Sequence, residues 1–596
     1  MEMVQPANEW KRNIGIMFRT TAFAMILTAL TGVVTSLIDG ILTSRFLGEG
    51  IYSGISLLKP FTSIVMLLSG FLATGCNVFC SRLVGSGKKE EANNAFNLSV
   101  FITVILGLAL LAACILIPNG ILTVSGVKTD KYPELTVHMH DYLRGVRIGI
   151  PLLMVAKIMA PILVMDNGKK LFATASATLC VVNIIGDLLN IFVFHGGAYG
   201  MGLSTSIAYA VHILMLLPHF FRKNAYYKLD ISRIRFGCMR DLLKNGTPDF
   251  VKKLAGTLRD VLVNYLNIAV ALSAAAIAAR GIQSDLMLFL FCISSGLGDT
   301  MLSMVGVYYS ANDKVGLTRL FSYGLLLGVT LSLAAGLLAF LFAPLLVGIY
   351  TQDPETASLA VFSLRWMSVA LVFDTTSVIV QHYFEGIGAL KNASIMSVLE
   401  RFILPVASAF VLGMIFGTRG ILASVAVSKF LLVAIVFVAG CIANKGFPKQ
   451  WSEIMFLPKD FGGGDENNMY EEIIREDQIP DVSLRAEKFC LALGVEEKKA
   501  RYLALFVEEL AENVFEHAAT KNIKKVRIDL RLLIHETIPY VSMTDLSEQF
   551  DPKMFYEMHK NDSPEKHIGI RMVMRMATEV RYFSTFGSNN LVVYLE

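Results

Sequence analysis

LFATASATLCVVNIIGDLLNIFVF, residues 171–194, is long enough to cross a bilayer and carries one formal charge, Asp187. A charged side chain in hydrocarbon costs roughly 2.5–3.5 kcal/mol even on lenient insertion scales, so it normally faces a protein interior or a water-filled cavity. Asn183, Asp187 and Asn190 follow at i, i+4 and i+7 and share one face of a helix. The helix therefore has a greasy side and a side of carboxamides and carboxylate. Two readings are open: a polar helix-packing face, or an ion or proton site.

The rest of the chain agrees with a membrane as solvent. Its 596 residues are too many for one ordinary domain. A hydrophobic content of 54%, a charged content of 17% and a mean hydropathy of +0.56 lie far from soluble averages. The net charge of +4 says little, because in a membrane protein the placement of Lys and Arg matters more than their sum, and no nucleic-acid partner is implied. Cys76, Cys80, Cys114, Cys180 and Cys292 sit inside apolar runs and read as small packing residues, not as disulfides or zinc ligands. The apolar segment after Arg12 is too long for a signal-peptide core and lacks a small-residue cleavage pattern, so it is expected to stay attached as the first span.

Apolar runs of about 20 residues fall near 14–42, 55–84, 95–117, 141–165, 171–194 and 198–220. A second set falls near 250–280, 284–310, 321–347, 360–385, 394–416 and 420–442. The expected architecture is a polytopic all-α membrane protein of about twelve transmembrane helices in two six-helix lobes, 1–235 and 236–450. Between the lobes, 221–253 holds Arg222, Lys223, Lys228, Arg233, Arg235, Arg240, Lys244, Lys252 and Lys253 against three aspartates, which places it on the cytoplasmic side. Lys88 and Lys89, Lys169 and Lys170, Lys314, Lys391, and Lys445 with Lys449 fall in alternate loops. The same orientation puts them inside, with both termini cytoplasmic and the chain in the inner (cytoplasmic) membrane.

The two sets are alike. SRLVGSGKKEEANNAF, ending at Phe96, parallels VYYSANDKVGLTRLF, ending at Phe321; MDNGKKLFA around Asp166 parallels FEGIGALKNA around Glu385. A repeated six-helix half points to a two-lobed transporter with a central cavity. The segments IDGILTSRFLGEGIYSGISLLKPF, SRLVGSGKKEEANNAF, MDNGKKLFATAS and NIIGDLLNIFVFHGGAYGMGLSTSIAYAV resemble the multidrug and toxic compound extrusion (MATE) family, from about residue 14 to 445. That resemblance implies a cation-coupled antiporter expelling amphipathic, often cationic organic compounds. It also implies a coupling-ion site, for Na+ or H+, at Asp39, Asn183, Asp187 and Thr205.

The residues themselves agree for Asp39, since Thr28, Thr35 and Asp39 form a polar stripe on an otherwise apolar helix. Two carboxylates sharing a low-dielectric cavity cannot both ionise cheaply, so one takes a proton or the pair takes a cation. Neutral oxygens from Asn183 and Thr205 suit a hard cation such as sodium. Asp299 and Asp374 are open between cavity lining and packing, and Lys59 is expected to snorkel to an interface.

Beyond residue 450 the composition changes. FGGGDENNMYEEIIREDQIPD, within an expected linker at 451–481, reads as exposed, and 482–596 has a soluble α/β pattern. Two amphipathic helices run from SLRAEKFC to FEHAA, KKVRIDLRLLI and TIPYVSMTDL read as strands, and HIGIRMVMRMATEV is a helix followed by EVRYFSTF and NLVVYLE. VEELAENVFEHA resembles the N-box of the GHKL (histidine-kinase-like ATPase) fold, in its anti-sigma-factor serine-kinase branch. The resemblance implies an α/β sandwich binding Mg-ATP, with Glu509 as general base, Asn513 on magnesium and Asp545 on the adenine amino group. The same resemblance puts Gly569 in the phosphate turn, through HIGIRMV. Ser547, Gln549 and His567 stand where that family has glycines, which matters because close approach to phosphates and φ > 0 turns need glycine.

The expected function is thus efflux, with a nucleotide-binding-type cytoplasmic regulatory domain. Whether that domain is a serine/threonine kinase or a degenerate ATP-binding module is open, as is a STAS-type or other signalling protein as its partner. With no G-x-x-x-x-G-K-[ST] sequence, nucleotide is expected to regulate transport and not to power it. A lipid or oligosaccharide-lipid flippase of the same architecture, in contact with membrane lipid, and a membrane-tethered sensor remain as alternatives.

Overall fold

The computed structural model describes residues 11–48, 51–52, 54–55, 58–124, 133–222, 225–230, 232, 234–271, 274–351, 353–443, 446–447, 455–458, 461–462, 465–520, 526–535, 538–547, 550–559 and 568–595. The side chain of Lys59 lies outside what is described, as do Gln549 and His567.

Six helical passes fill 11–221: 11–47, 59–85, 89–116, 133–165, 169–194 and 197–221. Six more fill 239–443: 239–271, 274–310, 314–341, 354–387, 390–416 and 418–443. Among the described residues, eight helices are long and apolar enough to cross a membrane, and the pair 136–146 and 149–165, bent by 51°, makes a ninth. One of the eight, 390–442, turns at Gly417 (φ 59°, ψ −140°) and is two passes. A Cβ on Gly420 would lie 1.9 Å from the Leu412 carbonyl, an approach that a continuous helix cannot make over eight residues. The pass 239–271 is less apolar, and 274–310 is interrupted at Phe291, which leaves its first helix only 17 residues long.

Their shared boundary differs from expectation. One described helix ends at Ala271 and the next runs from Ala274 to Leu290, so the expected boundary at 281–283 lies inside a helix. The run ALSAAAIAARGI is small and apolar up to Arg280, so nothing in it marks a turn.

The short basic loops do mark turns. Gly87, Asn167, Asn312 and Gly388, at the ends of the second, fourth, eighth and tenth passes, all have positive φ (71°, 60°, 53° and 78°). Only Gly, and Asn less freely, enters that region cheaply. All four turns lie at the end of the helices that carries the C-terminal domain. There the two lobes also meet. A Cβ on Gly85 would lie 2.2 Å from the Val307 carbonyl, and Arg82 donates to the carbonyls of Glu385 (2.9 Å) and Gly386 (3.1 Å).

The C-terminal domain is a five-stranded antiparallel sheet, β1 (Asn468–Ile473), β2 (Ile528–His535), β3 (Ile538–Asp545), β4 (Glu579–Thr585) and β5 (Ser588–Tyr594), in the order β1-β2-β3-β5-β4. Helices Ile479–Ala492, Glu497–Thr520 and Ile568–Met576 cover one face, where Val482, Phe506 and Val573 bury against Leu530 and Val541. The expected exposed linker is a correction. Within 461–481, β1 forms the sheet edge and Ile479 already begins a helix. The alternation NMYEEI sends Ile473 into the helix-side core and Tyr470 to the opposite face, where Arg531 stacks over its ring. Met455 and Phe461 are buried against the helical body, and Phe461 stacks on Tyr309 at 4.9 Å.

Candidate functional site

Asp187 is fully buried and Asn183, one turn earlier on the fifth pass, is nearly so. Across from them the first pass brings Asp39, whose carboxyl group stands within hydrogen-bonding reach of that of Asp187. One oxygen of each acid, and the Asn183 amide nitrogen, are buried without a hydrogen-bond partner. Buried polar atoms are nearly always satisfied, so these atoms leave room for further partners: the two carboxylate oxygens can accept a proton or a cation, whereas the amide N–H can only donate.

Thr205 does not join them. Its hydroxyl donates to the Met201 carbonyl of its own helix at 3.1 Å. The neighbouring Ser204 hydroxyl stands within hydrogen-bonding distance of both Asp187 and that same Met201 carbonyl (2.9 Å). A Cβ on Gly186 would sit 2.7 Å from that of Ser204, so the fifth and sixth passes touch at this level and aim Ser204 inward. Asn190, on the same helix face as Asp187, closes the following loop, accepting from Gly196 N–H and donating to the Gly197 carbonyl, both at 3.0 Å. Tyr142 and Tyr209, from the fourth and sixth passes, face Asp39 electrostatically. Neither tyrosine has a sequence signal, since Tyr142 lies in an amphipathic helix and Tyr209 in an apolar one, both contexts typical of packing. The arrangement can hold a proton between the two acids, or a hard cation among carboxylate, hydroxyl and amide oxygens.

In the second lobe Asp374 is buried and ion-paired to Lys429 of the twelfth pass at 2.6 Å. Lys429 also pairs with Glu400 at 2.6 Å. Asp299, by contrast, is half-exposed and stands 3.9 Å from His382. Asp374 is therefore part of a closed ion-pair cluster, and Asp299 faces open space.

In the C-terminal domain, Asn513 and Asp545 line one cleft between the helix Glu497–Thr520 and the sheet. Its apolar wall is Leu510, Met543 and Leu591, with the rings of Phe550 and Tyr582 beside it. Asp545 is buried and accepts from the backbone N–H of Ser547 (2.8 Å), the Ser547 hydroxyl and the Asn589 amide (3.0 Å). Burial pushes its carboxyl above the usual carboxylate range against those hydrogen bonds. Glu509 sits outside the lining, against Gly569, where a Cβ would collide with its carboxylate. Burial, then Glu512 and Glu508, raise the Glu509 carboxyl. A flat base with an exocyclic amine fits this lining: apolar walls, flanking rings and a buried acceptor.

The helical body has known counterparts. The family model described as MatE matches residues 24–211 and 257–411, more than half of the chain. The multidrug export protein MepA of Staphylococcus haemolyticus is 25% identical over 435 residues, covering 69% of this chain and 91% of that protein. MepA of Staphylococcus saprophyticus is 23% identical over 407 residues, covering 67% and 88%. A solved structure described as an outward-facing conformation of a multidrug resistance MATE family transporter of the MOP superfamily superposes with a TM-score of 0.68 at 18% identity, over 74% of this chain and 98% of that one. Another, of MATE in the straight conformation, gives 0.67 at 18% identity over 73% and 96%. With its paired six-pass lobes and this match, the chain belongs to the MatE family, on a multi-pass membrane-transporter fold.

Proposed function

We propose that this protein is a cation-coupled antiporter that exports amphipathic organic compounds across the cytoplasmic membrane, with its C-terminal domain on the cytoplasmic side. The observation that carries the reading is the facing pair of a half-buried Asp39 and a fully buried Asp187, each with an unpartnered oxygen, in an apolar lobe. Entry of H+ or Na+ neutralises the pair and stabilises one arrangement of the lobes; loss of the ion stabilises the other. The export names of the MepA relatives support the substrate class. The test is export of a fluorescent organic cation from vesicles under an imposed proton or sodium gradient. Gradient-driven efflux by the wild type and none by Asp187→Asn is the expected result; undiminished efflux by the variant would refute the coupling role.

The C-terminal domain, in this reading, is a regulatory module of the GHKL type that takes a nucleotide in the Asn513–Asp545 cleft. When bound, magnesium would neutralise the phosphates. Asp545 would accept from the base and Asn513 would stand on the phosphate-proximal helix. Titration of the full-length protein with Mg-ATP tests it: saturable binding lost in Asp545→Ala is expected, and no binding by the wild type would refute it.

A further inference from the structure

The helix-free face of the sheet is not open to solvent. Residues paired across the strands share a face, so Arg531 and Arg581 point the same way, as do Asp529 and Phe583 one rung further along. That face lies on the helical body and touches both lobes. On the first lobe, Asn13 donates to Asp529 at 3.0 Å and Arg581 to the Ser86 carbonyl at 3.4 Å. The hairpin between β4 and β5 enters the loop between the fourth and fifth passes. There the Thr585 hydroxyl donates to the Met165 carbonyl at 2.8 Å, Gly587 N–H donates to the Asn167 side chain, and Phe586 is 1% exposed within the helical core. On the second lobe, Arg531, 5% exposed, donates to the Asn312 carbonyl at 2.9 Å.

One hydrogen-bonded sheet thus spans the seam where the lobes meet. Transporters of two lobes work by rocking one against the other, which needs this seam to part. A sheet cannot stretch without breaking its ladder, and each buried hydrogen bond that breaks without replacement strands a desolvated polar group. We infer that the C-terminal domain has a further function as a lock: docked as seen here, its sheet holds the two lobes together on the cytoplasmic side, and inward opening requires one lobe to let go of it.

The inference uses the orientation proposed above but not the nucleotide reading. It is tested by tethering the full-length chain with a short bifunctional thiol reagent. One pair, Asn167→Cys with Gly587→Cys, fixes the hairpin to the first lobe; the other, Asn312→Cys with Arg531→Cys, fixes the sheet to the second. The readout is labelling of Ser303→Cys, at the seam where Ser303 meets Asn77 (3.0 Å), by an impermeant maleimide from the cytoplasmic side. Labelling is measured against the same background without that cysteine. Either tether alone should leave labelling within about twofold, and both together should suppress it at least tenfold. Unchanged labelling with both tethers in place would overturn the lock. A second variant guards against misfolding of the multiple-cysteine chain: Phe586→Glu should undock the hairpin and raise Ser303→Cys labelling severalfold, and no rise would overturn the lock equally. Labelling needs no transported compound, so this outcome stands apart from the outcome of the export assay.

Discussion

Asp187 and Ser204 are seventeen residues apart and belong to neighbouring passes. A hydrogen bond to a charged group is worth about 1.5–3 kcal/mol. Ser204→Ala should therefore shift the cation dependence of export by roughly ten- to a hundredfold, while Thr205→Ala, whose hydroxyl serves its own helix, should change it less than about threefold; initial efflux rates against cation concentration decide between them. The sequence exposed the two acids because a carboxylate in an apolar run demands a reason. It could not choose between adjacent Ser and Thr, because one residue of helix rotation settles which hydroxyl points inward. The rule that singled out Asp187 applies equally to Lys429 in VAVSKFLLVAI, a lone cation in an apolar run that the sequence reading passed over.

Asp529 gives the docked domain a pH dependence. Buried and accepting from Asn13, with Glu472, Arg527 and Arg319 around it, its carboxyl is pushed up to about 7, chiefly by burial. The folded chain then holds a proton that the unfolded chain gives up near pH 4, so stability falls as pH rises between those values and levels off above about 7. Thermal unfolding followed from pH 5 to 8 should show this slope, and Asp529→Asn, which keeps an acceptor without the charge, should flatten it.

Among the elements, the tenth, eleventh and twelfth passes are tied by the cluster of Asp374, Glu400 and Lys429. Removing one partner of a buried ion pair strands a desolvated charge at about 3–5 kcal/mol. Lys429→Met should lower the unfolding temperature in detergent by several degrees, and adding Asp374→Asn and Glu400→Gln should recover most of the loss. Helix existence was legible because apolar runs of crossing length are local signals. The boundary between the seventh and eighth passes was not, for want of any residue that forces a turn, and β1 was hidden because Gly- and Asn-rich sequence around it has the composition of a linker.

At the scale of the molecule, the cleft and the dock are opposite faces of the same hairpin. Tyr582 and Asn589, hydrogen-bonded at 2.9 Å, line the cleft, while Thr585 and Phe586 hold the tip in the first lobe. Mg-ATP that widens the cleft should loosen the tip; the expected outcome is faster proteolysis near residue 586 in the presence of Mg-ATP, abolished by Asp545→Ala.

The sequence by itself determined the number and order of the passes, the two acids of the first lobe and the soluble α/β character of the last hundred or so residues, because hydropathy, periodicity and the cost of a charge in hydrocarbon act over one helix or strand. Only the tertiary structure decided that Ser204 meets Asp187, that Lys429 neutralises Asp374 and Glu400, and that the sheet turns its polar face onto both lobes. Those facts depend on contacts between segments far apart in the chain, 516 residues in the case of Asn13 and Asp529, and no local pattern encodes which surfaces will meet.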